Sequence, residues 1–205
     1  LKARSVDPLV NAGAIAQVSM VKASSEDERW KKVLGNLSAF AGEDLTLMDE
    51  VYKSEYESSW SNRAIANLLF NYNRLYSEPE EAMRVYTKLC SIGVSAKDLG
   101  FMGATLANGG VNPKTGKRLL DEEHVPELLA VMLAAGFYDE SGQWSYTAGL
   151  PAKTGVGGGI VAIVPGDKRN VASFRRIATG VFEDLGENLC QLLVVSKNIY
   201  QISIF

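Results

Sequence analysis

The stretch LPAKTGVGGGIVAIVPG, residues 150–166, sets a lysine, a threonine and four glycines at the head of an apolar run. Glycine is a poor strand former, because it has no side chain to pack and loses the most backbone entropy on folding. A strand opened by Gly155, Gly157, Gly158 and Gly159 is therefore expected where some other group must come close to the backbone. GIVAIVPG, residues 159–166, has the β-branched character of a strand, and DESGQWSYTAG, residues 139–149, offers a turn at Ser141-Gly142 followed by a short aromatic run. Two neighbouring antiparallel strands are predicted here.

Upstream the pattern is helical. SEPEEAMRVYTKL (77–89) has Ser77, Pro79 and Glu80 at capping-box spacing and then sets Ala82, Val85, Tyr86 and Leu89 on one face. SAKDLGFMGATLANGG (95–110) opens with Ser95 and Asp98 and stops at Asn108-Gly109-Gly110, and NPKTGK (112–117) reads as a turn. DEEHVPELLAVMLAAG (121–136) has acids and Pro126 early, Leu129, Met132 and Leu133 inward, and Gly136 at its end, with the lone His124 as a surface residue of the first turn. Helices followed by strands make an α+β plan. One domain is expected, with a helical lobe over about 11–137, strands drawn from 143–175, and a sheet with a C-terminal helix over about 138–205.

Composition narrows the function. A chain of 205 residues with net charge −3 has no long-range attraction for nucleic acid or an anionic membrane surface. Cys90 and Cys190 lie far apart in apolar stretches and are expected as buried free thiols. One histidine and no cysteine pair at ligand spacing leave little from which to build a metal site, so neither metal nor cofactor is expected. No apolar run approaches the span of a bilayer and no signal-peptide pattern opens the chain, which predicts a cytoplasmic protein.

Lys153-Thr154-Gly155 resembles the third motif of serine β-lactamases and penicillin-binding proteins, in which the ammonium and hydroxyl face the active site. VNAGAIA (10–16), SEYESSWSNRAIA (54–66), LCSIGVSAKDLGFMGATLANGGVNPKTG (89–116) and GFYDESGQWSYTAGLPAKTGVGGGI (136–160) sharpen the match. In this order they resemble the serine-dependent glutaminases over about residues 8–166. The resemblance implies a β-lactamase-like fold, hydrolysis of L-glutamine to L-glutamate and ammonia through a serine acyl-enzyme, and a homo-oligomer, dimer or tetramer. It also implies substrate-binding roles: Glu55 for the α-ammonium, Asn11 and Asn62 for the polar ends of the amino acid, and Tyr86 through its hydroxyl. The Val156 N–H would form half of an oxyanion hole, which explains the flanking glycines. Tyr138 would bind substrate and assist proton transfer to and from the nucleophile, a task for which a phenol needs a nearby cation such as lysine.

The residues themselves allow other readings. Glu55 alone reads as a solvated surface acid and Tyr86 as a core aromatic. Glu55 and Asn62 are seven apart and would share a face if their segment is one helix. A non-catalytic homologue that binds amino acids or self-associates, and a β-lactamase-like hydrolase, are the rival functions.

Two departures from the pattern stand out. The family nucleophile lies in an S-x-x-K motif ahead of NAGA, whereas here Ser19-Met20-Val21-Lys22 follows it, on an expected structural helix. The chain as written is thus expected to lack the nucleophile serine and its lysine, to leave the sheet short of strands with an unpaired edge, and not to turn over glutamine. After Gly166 the family's S-P-x-L and G-N-S motifs are missing, and Phe182, Leu185, Leu189 and Leu192 suggest a helical stripe before a loosely similar ending, SKNIYQISIF (196–205).

Overall fold

A computed structural model describes residues 7–156, 158–164, 191–196 and 199–204. The chain divides into two compact units, Leu1–Ser38 with Asp44–Val94, and Ala39–Glu43 with Ser95–Phe205.

The first unit is built from helices: α1 (Asn11–Met20), most of α2 (Glu26–Ala41), α3 (Asp49–Ser58), α4 (Trp60–Asn71) and α5 (Pro79–Cys90). A two-residue antiparallel pair, β1 (Thr46–Leu47) and β2 (Ile92–Gly93), joins its ends. Its core takes Ile15 and Val18 from α1, Ala66 and Leu69 from α4, and Ala82, Met83, Val85 and Tyr86 from α5. Each large apolar side chain among them contributes about 1.5–3 kcal/mol on burial. Two expectations change here. α5 starts at Pro79 as predicted, but no side chain caps it, and the Ser77 hydroxyl is buried without a partner. Glu55 and Asn62 do not share a helix, because the chain breaks between α3 and α4. The Ser58 hydroxyl donates to the Ser54 carbonyl and the Ser59 hydroxyl to the Tyr56 carbonyl, drawing local bonding away from a continuous helix.

The second unit opens with α6 (Ala96–Ala107), whose capping box is complete: the Ser95 hydroxyl accepts from the Asp98 N–H, and the Asp98 carboxylate accepts from the Ser95 N–H. Burial pushes the Asp98 carboxyl up, but its bonds to Ser95 and Glu43 and the Lys114 charge together leave it below its ordinary value. The helix stops where expected, with Gly109 and Gly110 at φ +63° and +86°. The NPKTGK turn is organised by Asn112, fully buried, whose Oδ1 accepts from the Lys114 and Thr115 N–H groups. A short 3-10 turn, Glu122–His124, leads into α7 (Val125–Ala135), and His124 is half-exposed beside Glu127.

α8 (Ser141–Thr147) replaces the strand predicted to begin at 143. The ring of Trp144 stacks on Phe137 at 4.1 Å, its Nε1 donates to the Leu150 carbonyl, and the Ser145 hydroxyl donates to the Leu133 carbonyl. Those contacts need side chains at helical rather than alternating spacing. The sheet follows in the order β3 (Ala152–Thr154), β4 (Gly159–Val164), β5 (Gln191–Ser196) and β6 (Ile199–Ile204). β3 with β4 and β5 with β6 pair antiparallel, as the α+β plan requires, whereas β4 with β5 runs parallel. Leu192 lies in β5 and so outside any helical stripe. Phe182, Leu185, Leu189 and Cys190 lie outside the described residues. Among the described residues no helix is long and apolar enough to cross a membrane.

Gly136 locks α7 to β3. A Cβ there would sit 1.7 Å from the Ala152 carbonyl oxygen and 2.4 Å from that of Met132. Gly136→Ala is expected to cost about 1–3 kcal/mol by overpacking, lowering the melting temperature by roughly 5 °C. A melting curve that superimposes on that of the unmodified chain would contradict this packing.

Candidate functional site

In the first unit, Asn11 stands at the start of α1 and Asn62 in the first turn of α4. The Asn11 Nδ2 donates to the Asn62 Oδ1 at 2.9 Å, joining residues 51 apart in the chain. Glu55 lies on α3, exposed, and Tyr86 on α5, buried at 7% exposure. Cys90, one turn after Tyr86, is a free and exposed cysteine, a correction to its expected burial. Surrounding atoms still desolvate its sulfur: burial pushes the thiol up, a side-chain bond with Tyr86 opposes this, and the Glu55 charge adds to it.

The same unit disposes of Ser19. It is 2% exposed, donates from its hydroxyl to the Ala16 carbonyl at 2.6 Å and accepts from the Tyr76 N–H at 3.1 Å. α1 ends at Met20, so Lys22 is not one helical turn along from it. Ser19→Ala is expected to leave any glutamine turnover unchanged while destabilising the fold by about 1–2 kcal/mol, because the Tyr76 N–H loses its acceptor. Ammonia release that disappears in a folded Ser19→Ala variant would contradict this.

In the second unit, Tyr138 follows the turn after Gly136. Its φ of +53° is a left-handed value that costs a non-glycine residue on the order of 1 kcal/mol. The Ser141 hydroxyl holds the turn, donating to the Tyr138 carbonyl and accepting from the Phe137 N–H, and the Gly136 carbonyl accepts from the Thr154 N–H. The K-T-G strand and the Tyr138 turn are therefore bonded neighbours. The Lys153 Nζ lies 4.4 Å from the centre of the Tyr138 ring. Val156 is 96% exposed at the tip between β3 and β4. The bonds closing that tip, Gly155 N to Gly159 O and Gly158 N to Gly155 O, both pass Val156 by.

A sequence profile described as Glutaminase matches residues 2–174. The chain belongs to the glutaminase family. It is 54% identical over 163 residues to a glutaminase of Bordetella avium, covering 80% of this chain and 52% of that protein. It is 51% identical over 160 residues to glutaminase 2 of Yersinia pestis, covering 78% and 47%. The solved Bacillus subtilis glutaminase YbgJ, in covalent complex with 5-oxo-L-norleucine formed from 6-diazo-5-oxo-L-norleucine, superimposes with a TM-score of 0.74 at 34% identity, covering 77% of this chain and 55% of that one. The chain spans about half the length of the curated glutaminases it matches.

For this glutaminase-family chain, two residues adjoining the expected site residues, Cys90 and Arg63, were given no place there by the sequence. Cys90 carried a usable signal, since it is four residues after Tyr86 and so on the same helix face. Arg63 sits inside the quoted N-R-A motif, yet its partners come from three different helices, which spacing along one segment cannot show.

Proposed function

We propose that the protein hydrolyses L-glutamine to L-glutamate and ammonia. Glutamine presents an ammonium, a carboxylate and a neutral amide. Glu55 takes the ammonium, Asn11 and Asn62 take the polar ends, and the Tyr86 hydroxyl faces the substrate. A serine oxygen, from an S-x-x-K motif ahead of Asn11 rather than from Ser19, adds to the amide carbon, with the Val156 N–H donating to the oxyanion that forms. Ammonia leaves with a proton delivered through Tyr138, and water then cleaves the ester to release glutamate and restore the serine. The covalent 5-oxo-L-norleucine complex of the Bacillus subtilis relative supports such a route. The observation that carries the reading is the Asn11–Asn62 bond, because it brings two expected substrate ligands from distant sequence to one place. Strain at Tyr138 beneath Lys153 is a second support, since left-handed non-glycine residues cluster at working sites. A cytoplasmic homo-oligomer, dimer or tetramer, completes the proposal, and light scattering tests the assembly.

A carboxylate at Glu55 selects a free α-ammonium, which separates this reading from a β-lactamase. The test is ammonia release from L-glutamine beside nitrocefin hydrolysis, measured on the chain alone and on the chain extended by an S-x-x-K segment ahead of Asn11. Glutamine turnover in the extended form without nitrocefin hydrolysis is expected. Nitrocefin hydrolysis without glutamine turnover would overturn the proposal.

A further inference from the structure

α3, which carries Glu55, buries none of its residues. Helices in proteins are held mainly by packing an apolar face, so this one must be held otherwise. The break at Ser59 also means that no continuous backbone ladder sets its direction relative to α4. Lateral contacts, to which Arg84 adds a bond with Tyr56, do part of this holding. Tyr52 and Tyr56 stack at 5.7 Å, and the Arg63 guanidinium lies 4.4 Å from the centre of the Tyr56 ring and 5.5 Å from that of Trp60. The Arg63 Nε donates to the Glu80 Oε1 at 3.3 Å, and the Tyr56 hydroxyl donates to the same oxygen at 3.3 Å. Arg63 thereby ties α3, through Tyr56, to its own α4 and to the first turn of α5.

The neighbours of these residues give the arrangement its meaning. Tyr56 follows Glu55 directly and Arg63 follows Asn62 directly, while Asn62 is fixed to Asn11. We propose that Arg63 is a positioning residue for Glu55: by clamping Tyr56 against Glu80 it sets the Glu55 carboxylate relative to the Asn62–Asn11 pair. The inference rests on the ammonium-binding role proposed for Glu55. A guanidinium suits the task because its plane covers an aromatic ring while an edge N–H donates, which an ammonium cannot do in one fixed geometry. The Arg63 and Glu80 side chains are 20% and 53% exposed, so the ion pair adds little to global stability. Its effect belongs in ligand geometry.

The test titrates the chain by calorimetry with L-glutamine and with glutaramate, the same molecule without the α-amino group, using Arg63→Met and Arg63→Lys beside the unmodified protein. Arg63→Met is expected to weaken L-glutamine about tenfold, the loss of a partly desolvated cation–π contact, and to leave glutaramate within about twofold. Arg63→Lys is expected to recover most of the difference. Hydrogen exchange should show the α3 amides losing protection in Arg63→Met while those of α5 keep theirs. Unchanged L-glutamine affinity, or an equal loss for both ligands in both variants, overturns the proposal. Failure of the unmodified chain to bind L-glutamine overturns the proposed function instead. In that event the exchange data decide the clamp alone, and equal α3 protection in Arg63→Met and the unmodified chain rejects it.

Discussion

Arg29→Met is expected to destabilise the first unit by about 3–5 kcal/mol, the loss seen when one member of a buried ion pair is removed. Arg29 is 6% exposed; its Nε meets Glu81 Oε1 at 3.0 Å, and its Nη1 donates to the carbonyls of Ser19 at 2.8 Å and Val21 at 2.6 Å. Those carbonyls end α1, where no helical N–H can reach them, so the guanidinium acts as the cap. Methionine would fill much of the space without a donor, leaving two carbonyls and the Glu81 carboxylate uncompensated. Because α1 begins with Asn11, the loss should also loosen the Asn11–Asn62 bond. Urea unfolding checks this, and a stability within about 1 kcal/mol of the unmodified chain contradicts the capping role.

Glu55→Gln is expected to weaken L-glutamine binding about thirtyfold, roughly 2 kcal/mol, the lower end of the range for losing one member of a ligand charge pair. The lower end applies because Glu55 is exposed, and only the bound amino acid would cover it. The amide keeps the shape but not the charge, so glutaramate, which has no ammonium, should bind both forms alike. Equal affinity of the variant and the unmodified protein for L-glutamine would remove Glu55 from the site.

What the sequence made legible follows from where the determinants lie. The strand at residues 159–164 could be read because its β-branched run is local, but Gly155 and Gly158 ahead of it form a tip rather than a strand start. The partner of β4 is the K-T-G stretch itself, Lys153 opposite Val161, not the aromatic run. The α6 capping box was legible for the same reason, being four residues long. Residues 143–147 misled because aromatic and small residues alternate there as they would in a strand, whereas the contacts of Trp144 with Phe137 and Leu150 favour a helix. The break between Glu55 and Asn62 was hidden because Ser58 and Ser59 act through hydroxyl-to-carbonyl bonds that no periodicity reveals. Arg29 was missed altogether, since arginine is a surface residue by default and its partners arrive from other helices.

The central claim is that this fold binds the free amino acid glutamine through its α-ammonium. Calorimetric titration of the chain with L-glutamine and with N-acetyl-L-glutamine, side by side, tests it most directly. L-glutamine should bind and the acetylated form, which lacks the cation, should give no measurable heat. Equal binding of the two, or binding of the acetylated form alone, would contradict the account.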